Sequence, residues 1–240
     1  MQKIILSPPV SNLIKIPGTS RIVGSYTFES RPGLWRNLTK LRKAPGGWYN
    51  RVGLRNPGIK KFNKSGIVSL AGFCVSDFEA MLYYLAEFDC VETVEFNISC
   101  PNADVVFVTP ELIELANRLF GVPPIIKVPH ALPLIDLIEL ADLGNCILHI
   151  SNTKSTPKGA LSGRQLIDDN LDSIYHLKRF RPKTKVIAGG GIYNLDTLKL
   201  YASVGADHFS LSTVLFNPYA TYKIISWSLK HQEPTEDKQS

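Results

Sequence analysis

The stretch EFNISCPN (95–102) gathers Asn97, Ser99, Cys100 and Asn102 at the end of an alternating, β-rich run. Two amides, a hydroxyl and a thiol so close together can hold a flat ligand and move one proton. Each amide offers donors and an acceptor in one plane. A thiol, with an ordinary pKa near ~8.5, acts as a base once its surroundings favour the thiolate. Cys100 is the first candidate for chemistry, although a cysteine at a strand end is by itself more often a small buried apolar residue. Its neighbours decide the reading.

Those neighbours end other short apolar runs. Lys127 closes PPIIK, Asn152 and Thr153 follow CILHIS, Gly190 and Gly191 follow KVIAG, and Ser212 and Thr213 follow DHFSL. Apart from the lysine and the thiol these residues are short and neutral, a lining suited to a planar heterocycle with several carbonyl and N–H groups. No acidic residue stands among them, so Lys127 reads as a ligand or cofactor contact. His130, after KVP, stands close to the set. His149 and His208 fall inside apolar runs and read as core hydrogen-bonding groups, and Cys74, Cys90 and Cys146 read as small buried packing residues.

The elements that must position this set follow from periodicity. From residue 66 onward, short apolar runs bounded by Gly, Pro or Asn alternate with longer segments of helical period, the sequence form of repeated βα units. Strands are predicted at 66–72, 91–99, 124–128, 146–151, 185–189 and 207–212, with helices at 75–88, 110–120, 132–143, 167–180, 195–204 and 218–230. Ser76 with Glu79 forms a candidate capping box, and Thr109 a candidate N-cap before Pro110. KIIL (3–6) and RIVGSYTF (21–28) raise the strand count to eight, the number that closes a (β/α)8 TIM barrel. Pro8, Pro9 and Pro17 break any helix between the first two strands, so the first helix is expected to be missing or reduced. Residues 33 to 65, rich in Gly, Pro and basic side chains, predict a long excursion. Residues 1–230 then form one barrel domain, followed by a polar tail at 231–240. The chemistry of such a barrel sits at the C-terminal ends of its strands, where the candidate residues fall.

Composition narrows the classes. The chain has 240 residues, 44% of them hydrophobic, and a net charge of +6 spread without a basic run interleaved with aromatics, which argues against a nucleic-acid surface. Four cysteines without a CxxC pair predict reduced thiols, no metal site and a cytoplasmic setting. No apolar stretch reaches membrane-spanning length, so no integral membrane segment is expected. Apolar surface left by a missing helix could be covered in a homodimer.

The motifs FNISCPN, IIKVP, SNTK…KGALSG, AGGGI and GADHFSLSTVLF, in that order over roughly residues 21 to 225, resemble the dihydroorotate dehydrogenase family of flavin enzymes. YNRVGLRNPG and GIVSLAGF echo it further. The resemblance implies an FMN-dependent oxidoreductase of pyrimidine biosynthesis acting on dihydroorotate or a related dihydropyrimidine. Cys100 stands where the catalytic base of the soluble class lies. Asn50, Asn97, Asn102 and Asn152, with Thr153, match the residues that grip the pyrimidine. Lys127 matches a lysine beside the flavin N1 and O2 edge. Ser99, Gly159, Ser162 and Gly163 match flavin contacts, the last three in a loop, and Gly190, Gly191, Ser212 and Thr213 match the phosphate cup.

Three departures accompany the resemblance. Gly24 stands where the family has a lysine near the flavin, Ser7-Pro8-Pro9 replaces a small-residue turn, and Ser212 replaces a glycine of the cup. Each implies weaker or altered flavin contact. They keep open a catalytically degenerate barrel that binds a small anion or a protein partner. A phosphate-binding isomerase is the weakest alternative, since such enzymes work through strand-end Asp or Glu.

Overall fold

The computed structural model describes residues 1–31, 41–50, 54–99, 108–151 and 153–231. Eight parallel strands close into a barrel: β1 (Ile4–Leu6), β2 (Ser20–Tyr26), β5 (Gly66–Leu70), β6 (Val91–Asn97), β7 (Ile125–Lys127), β8 (Ile147–Ile150), β11 (Lys185–Gly189) and β12 (His208–Leu211). β1 pairs with both β2 and β12, which completes the ring. Six helices follow the third to eighth of these strands: α1 (Val75–Leu85), α2 (Pro110–Phe120), α3 (Leu134–Asp142), α4 (Ile167–Phe180), α5 (Leu195–Ser203) and α6 (Pro218–Lys230). The (β/α)8 TIM barrel expected from the strand count is the observed fold.

The first helix is indeed reduced, to a 3-10 turn at Val10–Asn12. Among the described residues no α-helix joins β2 to β5 either. Instead a hairpin of β3 (Leu41–Ala44) and β4 (Gly47–Asn50) pairs with β10 (Gly159–Gly163) and β9 (Lys154–Thr156), forming a four-stranded antiparallel sheet from the excursions after β2 and β8. Both excursions leave the C-terminal ends of barrel strands, so this sheet belongs to the same mouth as the candidate site. Gly47 faces Gly163 across β4 and β10, and a Cβ on Gly47 would lie 1.8 Å from the Ser162 carbonyl oxygen. Only glycine allows the two strands to approach so closely.

Thr109 caps α2 as expected, its hydroxyl accepting from the Leu112 amide, with Pro110 at the first helical position. The capping box at Ser76 does not form. α1 starts at Val75 with an extended Cys74 before it, and the Asp77 carboxylate takes the Phe73 amide at 2.9 Å. An acceptor inside the first turn satisfies the entering backbone without Ser76 or Glu79.

The barrel has an apolar floor and a polar upper interior. Ile5, Ile22, Ile67, Ile125, Ile147 and Ile187 form a separate buried cluster, one from each of six strands. Side chains alternate along a strand, so the residues two positions further on face the same interior. They are Ser7, Gly24, Ser69, Lys127, His149 and Gly189. The outward-facing alternates, including Val23, Val68, Val94, Ile126, Leu148 and Phe209, pack in the main core with the helices.

Candidate active site

β6, β7 and β8 put Asn97, Lys127 and His149 side by side, because Asn97 pairs with Lys127 and Lys127 with His149 in the strand register. Glu95 lies one alternation below Asn97 on β6 and is 1% exposed. Its Oε2 is 2.6 Å from His149 Nδ1, and His149 has 0% exposure. Burial opposes ionisation of Glu95, but the bond from His149, the Lys127 charge and the Ser69 hydroxyl outweigh it and hold the carboxyl below its ordinary range. Burial, joined by the Lys127 charge, pushes the imidazole of His149 down in spite of Glu95. At neutral pH the ring is therefore uncharged and donates Nδ1–H to an anionic Glu95, whose counter-charge is Lys127. The strand-end set itself still carries no acidic residue; the carboxylate near Lys127 lies one alternation deeper in the barrel.

A second set of contacts leads from Glu95 to the mouth. Ser69 pairs with Glu95 in the strand register, Ser69 Oγ is 2.9 Å from Ser25 Oγ, and the Asn97 side-chain amide donates to Ser25 Oγ at 2.8 Å. Asn97 Oδ1 in turn accepts from the Ser99 hydroxyl. Ser25 reaches the interior because a β-bulge interrupts β2 between Gly24 and Tyr26. Regular alternation would have turned it outward.

On the opposite wall Gly190 and Gly191 take left-handed φ values of +74° and +78°. A Cβ on Gly191 would lie 2.6 Å from Ile167 and 2.8 Å from the Gly163 carbonyl, and one on Gly190 would lie 2.9 Å from Asn170 Nδ2. The turn is pinned from behind: Asn170 Nδ2 donates to the Gly189 carbonyl at 2.9 Å and the Tyr201 hydroxyl to the Gly190 carbonyl at 2.7 Å. Ser212 and Thr213 follow β12, and Ser212 donates its hydroxyl to the Pro8 carbonyl at 3.0 Å, tying the departures at Ser7-Pro8-Pro9 and at Ser212 to each other.

Asn50 ends β4 and pairs with Ala160, and Ser162 donates to the Trp48 carbonyl at 3.2 Å. Gly159, Ser162 and Gly163 thus lie in a strand rather than in the expected loop. Cys100, Asn102 and Asn152 lie outside the described residues. Cys146 is buried, and burial pushes its thiol up to about 11. Cys74 and Cys90 are exposed, against the expectation that all three remaining cysteines are buried packing residues. His208 bonds the Gln2 carbonyl at 3.2 Å, and His130 contacts Asp169 at 3.1 Å on the first turn of α4.

Sequence reasoning missed Glu95, Ser25, Ser69, Asn170 and Tyr201 as supporting residues. The alternation Thr93-Glu95-Asn97 was a signal for Glu95, since it places the carboxylate on the face that carries Asn97. Nothing in the sequence gave Ser25, which depends on the bulge.

The residues fit a flavin mononucleotide. A lysine faces the barrel interior, short hydroxyl and amide side chains line the mouth, and two glycines form a cradle that a Cβ would fill. Among the described residues no cluster of His, Cys, Asp or Glu could hold a metal ion, and no helix is long and apolar enough to cross a membrane.

An eight-stranded parallel barrel with a polar mouth and left-handed glycines after β11 is an α/β barrel of the TIM type. No family model matches the chain. It is similar to the dihydroorotate dehydrogenase B (NAD(+)) catalytic subunit of Thermotoga maritima, with 30% identity over 204 residues, covering 73% of this chain and 76% of the relative. The same protein of Lachnoclostridium phytofermentans is 25% identical over 243 residues, covering 86% and 79%. Among solved structures, a DHODH from Eimeria tenella in complex with ferulenol has the same fold, with a TM-score of 0.68 at 14% identity, over 86% of this chain and 73% of that one. The chain belongs to the dihydroorotate dehydrogenase family.

Proposed function

We propose that this chain oxidises dihydroorotate, or a closely related dihydropyrimidine, to orotate with FMN as hydride acceptor. The observation that carries the reading is the adjacency of Asn97 and Lys127 at the barrel mouth, with the Gly190–Gly191 cradle after β11. Bound FMN supplies a two-electron acceptor for the hydride that leaves C6 of the substrate.

The chain's own residues do the rest. Cys100 as thiolate takes the proton from C5, so that the C5–H pair becomes the new C5=C6 bond as the hydride departs. Asn97, Asn102 and Asn152, with Asn50 and Thr153, hold the pyrimidine amides and carboxylate. Lys127 presents a positive charge where electron density collects on the flavin, the electrostatic contribution such a cofactor needs from its protein. Ser99, Gly159, Ser162 and Gly163 line the flavin, and Gly190, Gly191, Ser212 and Thr213 hold its phosphate, with Ser212 contributing through its backbone because its hydroxyl serves Pro8. The relatives' names carry NAD(+) and the words catalytic subunit, which supports reoxidation through a partner subunit with NAD(+) as final acceptor.

The experiment is dihydroorotate-dependent reduction of a dye by chain saturated with FMN, compared with Cys100→Ala. Turnover that falls by ~10²-fold or more in the variant supports the assignment; equal turnover in both removes Cys100 from the mechanism.

A second reading, a degenerate barrel that binds an anion or a protein partner, is favoured by Gly24. With φ at +114° and a Cβ position 2.7 Å from the Ser69 carbonyl oxygen, this backbone admits no side chain there, so the family's lysine has no place on it. Dihydroorotate oxidation that vanishes in Cys100→Ala would rule this reading out.

A further inference from the structure

We infer that Arg164, held over the Tyr193 ring at the edge of the Gly190–Gly191 turn, is the cation that binds the phosphate of the flavin nucleotide and makes the site select FMN over unphosphorylated flavin. The inference rests on the reading of that turn as the phosphate cup, and it adds the charged partner that the cup's own residues lack.

Three passes of the chain meet at this point. Arg164 directly follows β10 and opens a 3-10 turn, Arg164–Leu166, that leads into α4. Its backbone amide donates to the Gly46 carbonyl at 2.9 Å, at the tip of the β3–β4 hairpin. The preceding residue, Gly163, lies against the turn after β11, since a Cβ on Gly191 would be 2.8 Å from its carbonyl oxygen. Tyr193 stands two residues beyond Gly191, and the Arg164 guanidinium carbon is 3.9 Å from the centre of its ring. The backbone contacts fix where the side chain starts, and the ring fixes where it ends.

The charge has no other partner to serve. Among the described residues Arg164 enters no ion pair and no side-chain hydrogen bond. Asp169, in the first turn of α4, pairs with His130 at 3.1 Å, and no acidic residue occurs between Asp142 and Asp168. Arg164 is exposed, and a guanidinium lying over an aromatic face keeps its N–H donors open at its edge, where the planar fork matches two oxygens of a phosphate. Gly190, Gly191, Ser212 and Thr213 carry no charge, so without Arg164 the cup offers a phosphate dianion only backbone N–H groups and hydroxyls. The plain alternative is a surface clamp that holds the hairpin to the turn. A clamp serves every flavin alike, whereas a phosphate partner serves FMN alone.

The experiment is titration of the full chain with FMN and with riboflavin, read by quenching of flavin fluorescence, in wild type, Arg164→Gln, Arg164→Lys and Tyr193→Leu, with circular dichroism to confirm the fold. Arg164→Gln should raise Kd for FMN about tenfold and leave that for riboflavin within about twofold, with Arg164→Lys and Tyr193→Leu between it and wild type for FMN. Added salt should weaken FMN binding less steeply in Arg164→Gln than in wild type. A Kd for FMN that is unchanged in Arg164→Gln, or a rise that riboflavin shares equally, overturns the inference. The functional reading fails separately, if wild type binds neither flavin. Inorganic phosphate at constant ionic strength then decides on Arg164: a rise in Tm in wild type that is lost in Arg164→Gln upholds it as the anion-binding residue, and no rise, or an equal rise in both, overturns it.

Discussion

Glu95 Oε2 and His149 Nδ1 lie 2.6 Å apart on β6 and β8, inside a barrel that gives neither side chain appreciable contact with water. A buried carboxylate here has a counter-charge one strand away in Lys127 and a neutral imidazole as hydrogen-bond donor. Removing the donor should therefore cost more than the bond itself, because the carboxylate stays behind. His149→Leu is expected to lower stability by roughly 3 kcal/mol, about 6–12 °C in Tm for a chain of this size. Calorimetry of the two proteins at pH 7 checks this.

The same pair sets a dependence on acid. The His149 pKa in the fold lies below its unfolded value near ~6.5, so its contribution is intact above that pH and is lost as the pH falls below it. Glu95 is also depressed, so its contribution is present above ~4.3 and is lost as the pH drops through the folded value. Both act in the same direction. Wild-type Tm should fall more steeply between pH 6.5 and 5 than that of His149→Gln, which carries no titrating ring; this compares slopes and is independent of the variant's absolute stability. Parallel slopes would show that another group governs acid stability.

At the cup, the left-handed backbone and the space behind it both require glycine. Gly191→Ala would place a methyl 2.6 Å from the Ile167 side chain on a residue with φ of +78°. Strain and displacement of the turn should weaken FMN binding by tenfold or more, seen as a rise in Kd by fluorescence quenching, whereas Gly144→Ala, also left-handed but with nothing within 4 Å of its Cβ position, should leave FMN affinity unchanged. Equal effects would mean that backbone strain alone, and not the cradle, is responsible.

Thiol accessibility gives a simpler check on the packing. Cys74 and Cys90 are exposed, whereas Cys146 is buried with its thiol pushed up to about 11. Iodoacetamide at pH 8 with peptide mapping should label Cys74 and Cys90 within minutes and Cys146 only after unfolding.

Much of this architecture is legible in sequence because it is local. Eight short apolar runs, the Thr109–Pro110 helix start and the glycines at 190 and 191 each reflect rules that act within a few residues. The sheet over the mouth is not local. β4 meets β10 more than 100 residues away, as Asn50 pairs with Ala160, and the glycines that permit the approach look like loop residues when read alone. His149 sits in an apolar run, and Glu95 is marked only by its alternation with Thr93 and Asn97; that the two meet depends on the barrel bringing β6 and β8 together. The bulge that brings Ser25 inward leaves no mark in the alternation at all.

The most direct test of the dehydrogenase reading is the visible spectrum of the chain purified with FMN, recorded before and after anaerobic addition of dihydroorotate. Flavin bands that co-purify and bleach on addition are the expected result. A colourless protein that takes up no FMN on titration, or a yellow one whose bands survive excess dihydroorotate, would contradict it.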